Sequence, residues 1–318
     1  MADPAAPIPL AFYAPLKPPD HPNPSGDRRV ARLLMAALER AGFAPFLASR
    51  LRSREGAGDP AALAAIRAAA LAEAARLGEA LAAAPPRLWL TYHGYWKAPD
   101  MIGPAVAETF GVPYAVVEGV RAPKRRVGPW AGFAAAAEAA LDRAAAIFWL
   151  TERDRAMLEA ARRPGQRLVQ LPPFLDAGPP PPPVARDGAL RLLAVGMMRP
   201  PDKTASYAAL AAGLARARCA WRLTVVGDGV AAAEVQPLFA AFGDRVRFVG
   251  RIDDPAALRA AYEAADLLVW PGVNEGYGMA YLEAQAAGRA ALAEDRPGLR
   301  CVVAPSATLV PPGDAAAF

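Results

Sequence analysis

From residue 190 to residue 270 short apolar runs alternate with longer segments of helical pattern. Residues 190–195, 221–226, 245–249 and 266–270 read as strands, and helices are expected to start near Lys203, Val230 and Pro255. Strands that are apolar on both faces must be covered on both faces, and a helix between each pair of strands supplies the cover. The same connection makes neighbouring strands parallel. This pattern commits the segment to an open, doubly wound α/β sheet.

The first half alternates less regularly but in the same way. Residues 7–14 form a first buried strand, followed by a proline-rich loop over 15–25 that Gly26 and Asp27 close. A helix over 27–41 places Val30, Leu33, Leu34, Ala37 and Leu38 on one face, and Gly42 stops it. Strands follow at 44–49, 87–93, 112–118, 146–150 and 167–171. Asp59-Pro60 opens an alanine-rich helix to about residue 83, whose apolar stripe is Leu63, Ile66, Leu71, Leu77 and Leu81. Further helices end near Gly111, span 129–143, and start at Thr151 with Asp154 in the manner of a capping box. Five consecutive prolines then stand within residues 172–188, a composition that favours an extended spacer. The expected organisation is a first Rossmann-like domain over 1–172, a linker over 173–189, and a second such domain over 190–318. Two such domains with parallel sheets are expected to face each other across a cleft.

Composition narrows the function. The chain has 318 residues, 54% hydrophobic and 21% charged, which is the balance of a globular protein. Its net charge of +5 suits an anionic substrate or an acidic membrane surface. No aromatic-basic module accompanies that charge, so nucleic acid is not expected as a partner. Cys219 and Cys301 lack metal-ligand spacing, and with only His21 and His93 a histidine-rich metal site is excluded. The first fifteen residues lack a basic segment and are broken by prolines, unlike a signal peptide, and no uncharged apolar run reaches 18 residues. A cytoplasmic protein is expected, with peripheral contact at the inner membrane face left open.

The chemistry concentrates at strand ends. Residues 270–288, WPGVNEGYGMAYLEAQAAG, read as a strand end, a loop with Glu275, then Gly276, Tyr277 and Gly278, and a helix carrying Glu283 that Gly288 stops. N–H groups at a helix start attract phosphate, and glycines let a ligand approach the main chain. A plain strand–turn–helix joint with two solvated glutamates fits the same stretch. Three other strand ends add weight. Gly196-Met-Met-Arg199-Pro-Pro-Asp-Lys203 brings a guanidinium and one of only four ammonium groups. Gly227-Asp-Gly229 is a tight turn at the same edge, and Gly250-Arg251-Ile252-Asp253 ends the next strand. Ligands of doubly wound sheets bind at this edge, so a phosphate-bearing ligand is expected. The densest basic run, Arg121 to Arg126, together with Lys97, suits either a phosphorylated or membrane-bound acceptor or a solvated face.

The stretches VGMMRPPDK, VVGDG, RVRFVGRIDD, AAYEAADLLVWP and NEGYGMAYLEAQAAG, with a Glu-x7-Glu pair, resemble the family 4 glycosyltransferases of two-Rossmann (GT-B) architecture. The resemblance covers residues from 190 onward; in the first half it is architectural. It implies retaining transfer of a sugar from a nucleotide diphosphate sugar to a glycan or lipid-linked acceptor of the cell envelope. Glu275 would sit beside the donor sugar, with Gly276, Tyr277 and Gly278 offering N–H groups. Glu283 would hold the ribose, and Arg199 and Lys203 would neutralise the diphosphate in place of a metal, so no cofactor is expected. His93 matches the first-domain histidine of the family; it could also merely cap its strand. Arg199 and Lys203 are one residue closer than the family pattern, and the first-domain loop is poor in glycine. Family members continue past the point where this chain stops at Phe318, so the sequence is expected to be incomplete. An epimerase of the same fold and a non-catalytic nucleotide-sugar binding subunit are the alternatives.

Overall fold

The computed structural model describes residues 6–23, 25–179, 181–182, 188–275 and 277–318. The chain divides into two compact units, residues 1–171 and 172–318. The first contains β1 (Ile8–Tyr13), α1 (Gly26–Arg40), β2 (Phe43–Ser49), α2 (Pro60–Ala80), β3 (Leu88–Tyr92), α3 (Gly103–Phe110), β4 (Tyr114–Val117), α4 (Ala131–Arg143), β5 (Ala146–Trp149), α5 (Glu152–Ala160) and β6 (Arg167–Gln170). These strands form one parallel sheet in the order β2-β1-β3-β4-β5-β6. Its centre is apolar throughout: Leu10 to Tyr13, Trp89 and Ile147 are at most 1% exposed. Ser25, Asp59 and Thr151 each accept a backbone N–H at the start of α1, α2 and α5, which fixes where those helices begin.

The second unit contains β7 (Leu190–Val195), α6 (Asp202–Leu214), β8 (Trp221–Val226), α7 (Ala232–Val235), β9 (Val246–Phe248), α8 (Pro255–Ala264), β10 (Leu267–Val269), α9 (Met279–Ala286), β11 (Ala290–Glu294) and β12 (Thr308–Val310). Its sheet is also parallel, in the order β12-β11-β10-β7-β8-β9. Tyr207, Phe239, Trp270 and Tyr281 fill the core beneath it, with the Tyr207 and Trp270 rings edge to face at 4.9 Å. The two parallel α/β sheets expected from the alternation are present.

Two local expectations need correction. The stripe on α2 is wrong at Leu71, which is 69% exposed; Ala70 and Leu77 are the buried positions. In a helix this rich in alanine, small residues pack against α3 and α4, so leucine spacing does not mark the inner face. The helix expected near Val230 is replaced by the single turn of α7 and a 3-10 stretch, Gln236–Arg245, kinked at Gly243. Pro237 supplies the reason, because it has no N–H for an α-helical bond and its ring crowds the preceding turn. The chain divides between Leu171 and Pro172. The described start of the proline segment is held by the second unit: the Tyr277 hydroxyl takes the Phe174 N–H at 2.9 Å and lies 3.2 Å from the Phe174 carbonyl.

Candidate active site

Strand order decides where a ligand can enter each sheet. In the second unit the chain runs from β7 to β8 and β9, then returns to the other side of β7 as β10. The connections after β7 and β10 diverge, leaving a crevice at the carboxyl ends of these two strands. Lys203 arrives there in the first turn of α6, which follows β7, and Glu275 from the β10–α9 loop. Lys203 Nζ donates to Glu275 Oε2 at 2.5 Å, and both side chains are under one-fifth exposed. Trp270 Nε1–H points at the same carboxylate oxygen from 3.3 Å, and the ammonium lies 5.4 Å from the centroid of the Trp270 ring. Sequence reasoning placed both charged residues at this edge but not the bond between them, nor the part played by Trp270.

The loop that carries Glu275 is tied down on both sides. Val273 N–H donates to Ser206 Oγ at 3.0 Å, Asn274 Nδ2 reaches Asp202 at 3.3 Å, and the Tyr281 hydroxyl donates to the Trp270 carbonyl at 2.7 Å. Asn274 itself is left-handed, with φ of 55°, a conformation asparagine tolerates better than most side chains. These bonds hold the Glu275 backbone in place before α9 begins. Gly278 precedes α9 with φ of 68°, and among the described residues no side chain caps the helix start, where an anion can be received; the Tyr281 N–H already donates to the Gly278 carbonyl at 3.0 Å. Glu283 lies on α9, 9% exposed, and accepts a hydrogen bond from the Tyr262 hydroxyl at 2.6 Å.

The remaining expected residues divide. Gly276 lies outside the described residues. Tyr277 is in the α9 entry loop, but its hydroxyl is engaged with Phe174. Arg199 is exposed and makes no hydrogen bond or ion pair among the described residues. Gly227 is required by backbone packing: a Cβ there would stand 1.9 Å from the Gly196 carbonyl oxygen, and φ is 146°. Its hydrogen thus lets the end of β8 abut the end of β7. Arg251 pairs in the open with Asp253 at 2.8 Å, and Ile252 leans on the core; both follow the edge strand β9, with β8 and β7 between them and the crevice.

The first unit has its own reversal of strand order. β1 is followed by β2 on one side, and β3 then pairs with β1 on the other. His93 follows β3 and Asp27 stands in the first turn of α1, which follows β1; His93 Nδ1 is 3.0 Å from Asp27 Oδ1. Glu118, just past β4, puts Oε2 3.7 Å from the same nitrogen. His93 and Glu118 are both left-handed, with φ of 57° and 58°. Burial alone would lower the His93 pKa; the charges of Glu118, Asp27 and Asp154 and the Asp27 hydrogen bond outweigh it and push the group up to about 9. Burial pushes Glu118 upward despite the opposing pull of His93. Asp27 is also raised by burial, but its bond to His93 and the charges of His93 and Lys17 bring it below its ordinary value.

The basic run does not form a single face. The Arg121 side chain is 3% exposed and pairs with Glu138 and with Asp142, the latter at 2.8 Å. Arg125 and Lys97 stack on Trp96 at 4.4 and 5.0 Å. Among the described residues no cluster of three His, Cys, Asp or Glu side chains is arranged to hold a metal ion, and no helix is long and apolar enough to cross a membrane.

Residues 189–318 match the protein family described as glycosyl transferases group 1. No curated protein matches the chain in sequence. Sucrose-phosphate synthase from Thermosynechococcus elongatus superposes with a TM-score of 0.69 at 20% identity, covering 98% of this chain and 87% of that one. The lipopolysaccharide outer core galactosyltransferase WaaB in its apo form gives 0.64 at 17%, covering 97% and 87%. A trehalose-6-phosphate synthase, OtsA, gives 0.64 at 14%, covering 98% and 89%. At such identities the likeness is one of fold, and the fold is the two-domain GT-B arrangement of these enzymes. The family match covers the second unit, and the likeness of fold extends over nearly the whole chain.

Proposed function

We propose that the protein is a retaining hexosyltransferase of family 4, moving a sugar from a nucleotide diphosphate sugar to a glycan or lipid-linked acceptor of the cell envelope. The second unit holds the donor and the first holds the acceptor. The observation that carries this reading is the Lys203–Glu275 pair at the β7/β10 crevice, beside the uncapped start of α9. An ammonium and the N–H groups of a helix start suit a diphosphate, and a carboxylate suits the hydroxyls of a sugar.

As the glycosidic bond breaks, negative charge gathers on the departing diphosphate. Lys203, with Arg199 swinging in from solvent, neutralises it, and the N–H groups of the α9 entry add to the effect. Glu275 then stands beside the donor sugar and Glu283 holds the ribose. His93 is the further catalytic residue, a hydrogen-bond donor to the substrate. The two cations do the work a divalent ion does elsewhere, so transfer proceeds without metal or other cofactor. The reaction takes place in the cytoplasm, at the inner membrane face when the acceptor is lipid-linked.

The test is calorimetric titration of UDP, GDP, ADP and dTDP in the presence of a chelator, repeated with Lys203→Met and Glu283→Ala. Saturable binding of one nucleotide, weakened in both variants, is the expected result. Binding of none of the four, or binding indifferent to both substitutions, refutes the assignment of the donor site.

A further inference from the structure

Two non-glycine residues at the ends of neighbouring strands, His93 and Glu118, take the left-handed conformation. Each such residue costs about 1 kcal/mol or more, and folds retain such strain mainly where a side chain must be aimed. Here both are aimed at one place. Asp27 comes to the same point from the first turn of α1, behind a different strand. Three elements that share no local sequence thus converge on one ring nitrogen, Nδ1 of His93, from 3.0 Å for Asp27 and 3.7 Å for Glu118.

We propose that Asp27 and Glu118 are positioning residues, which fix the His93 ring through Nδ1 so that Nε2 is the atom presented to the substrate. The proposal rests on the glycosyltransferase reading above for what His93 acts on, but not for the geometry. A carboxylate can only accept, so the Asp27 bond requires a proton on Nδ1. The state of Nε2 then depends on pH. With His93 pushed up to about 9, Nε2 also carries a proton at neutral pH and donates to an oxygen of the substrate. Above that pH it becomes an acceptor, and the interaction with a hydroxyl or phosphate oxygen is lost or reversed.

The charged and titratable groups around the ring account for this state. Asp27 on α1 and Glu118 beyond β4 contact it, Asp154 on α5 acts at longer range, and Tyr92 and Tyr95 flank it with ring centroids at 5.8 and 4.9 Å. Burial raises Asp27, but its bond to His93, then the charges of His93 and Lys17, hold it below its ordinary value. Among the described residues the charges that act on the ring are those of Glu118, Asp27 and Asp154, which favour the imidazolium.

The experiment is a pH titration of the imidazole nitrogens by long-range proton–nitrogen NMR. The chain has only His21 and His93, so His21→Gln assigns both signals. The parent His93 should titrate near 9, with both nitrogens protonated below that. Asp27→Asn should lower the midpoint by about one pH unit or more, and Glu118→Gln by less. A parent midpoint near the ordinary 6.5, or a midpoint that Asp27→Asn does not move, overturns the proposal. The parent titration needs no variant, so a variant that misfolds does not remove the test. A second readout is the pH profile of nucleoside diphosphate release from UDP-glucose, ADP-glucose and GDP-mannose. Its alkaline fall should follow the His93 midpoint into the Asp27→Asn protein. A fall that stays in place while the resonance moves overturns the positioning role. Release from none of the three refutes their use as donors, while the imidazole titration still decides the geometry.

Discussion

In the free protein Lys203 and Glu275 are bonded to each other, so a diphosphate must compete with Glu275 for the ammonium. Replacing Glu275 with glutamine removes that competitor while keeping an oxygen for Trp270 Nε1 to bond. The pair is 2.5 Å long and its side chains are 17% and 18% exposed, so it is neither fully screened nor fully desolvated. A hydrogen bond to a charged group contributes about 1.5–3 kcal/mol net. A neutral amide at the same place retains roughly half of that, which leaves about 0.75–1.5 kcal/mol to be recovered when phosphate takes the ammonium. Removing a carboxylate charge beside the phosphates acts in the same direction. Glu275→Gln should therefore bind nucleoside diphosphate about tenfold more tightly than the parent, even as sugar transfer falls. Calorimetry on the two proteins with the best-binding nucleotide measures it, with Lys203→Met as the control of opposite sign. Unchanged or weaker binding by a folded Glu275→Gln protein would show that Lys203 does not exchange Glu275 for phosphate.

Other perturbations separate packing from chemistry. Glu283→Ala should weaken nucleotide binding and also leave the Tyr262 hydroxyl without its acceptor, costing about 1–3 kcal/mol in chemical denaturation; Glu283→Gln should recover most of the stability but not the binding. Gly227→Ala should destabilise the second unit by about 2 kcal/mol or more, because its methyl group meets the Gly196 backbone, and a lowered Tm would report it. Asp100 is 3% exposed and accepts from the N–H groups of Ile102 and Gly103, both at 2.8 Å, and from the Thr91 and Tyr114 hydroxyls; Asp100→Ala should cost the first unit about 3 kcal/mol. Because the folded pKa of His93 is raised, its stabilising contribution is complete below pH 6.5 and is lost as pH rises through about 9. Denaturation midpoints should fall across that window by an amount worth up to roughly 3 kcal/mol, and His93→Gln should flatten the fall.

The fold was legible because parallel strands buried on both faces write their whole length in apolar residues. Val225, Leu193 and Leu268 in one sheet and Ala11, Leu90 and Val116 in the other needed only the alternation with helices to be placed. Where the pattern thinned, the reading failed. β11 and β12 escaped it, since the sequence AALAE of β11 is as good a helix as a strand until β10 lies beside it. α2 misled in the opposite sense, because alanine offers no contrast between an inner and an outer face. The 3-10 stretch before β9 was foreshadowed by Pro237 alone, a signal about one turn and not about the whole connection.

The site was legible in proportion to how local its groups are. Glu275, Gly278 and Glu283 stand within one strand–loop–helix joint, so the order of apolar strand, loop glutamate, glycines and helix put them together where spacing alone would not. Lys203 lies 72 residues from Glu275, and only the position of both at strand ends hinted that they meet. Strand order makes them neighbours: β10 returns beside β7 and not beside β9, and no single sequence states that order. Asp27 and Glu118 stayed invisible for the same reason. Asp27 looked like the close of a proline-rich loop and Glu118 like the last residue of a strand. Each becomes a partner of His93 only once β3 has been inserted next to β1 and the left-handed turns after β3 and β4 have aimed two side chains at the residue that starts α1. Such a turn normally calls for glycine or asparagine. A histidine and a glutamate that accept its cost are therefore a better pointer to the site than their charge, and that pointer exists only in the backbone.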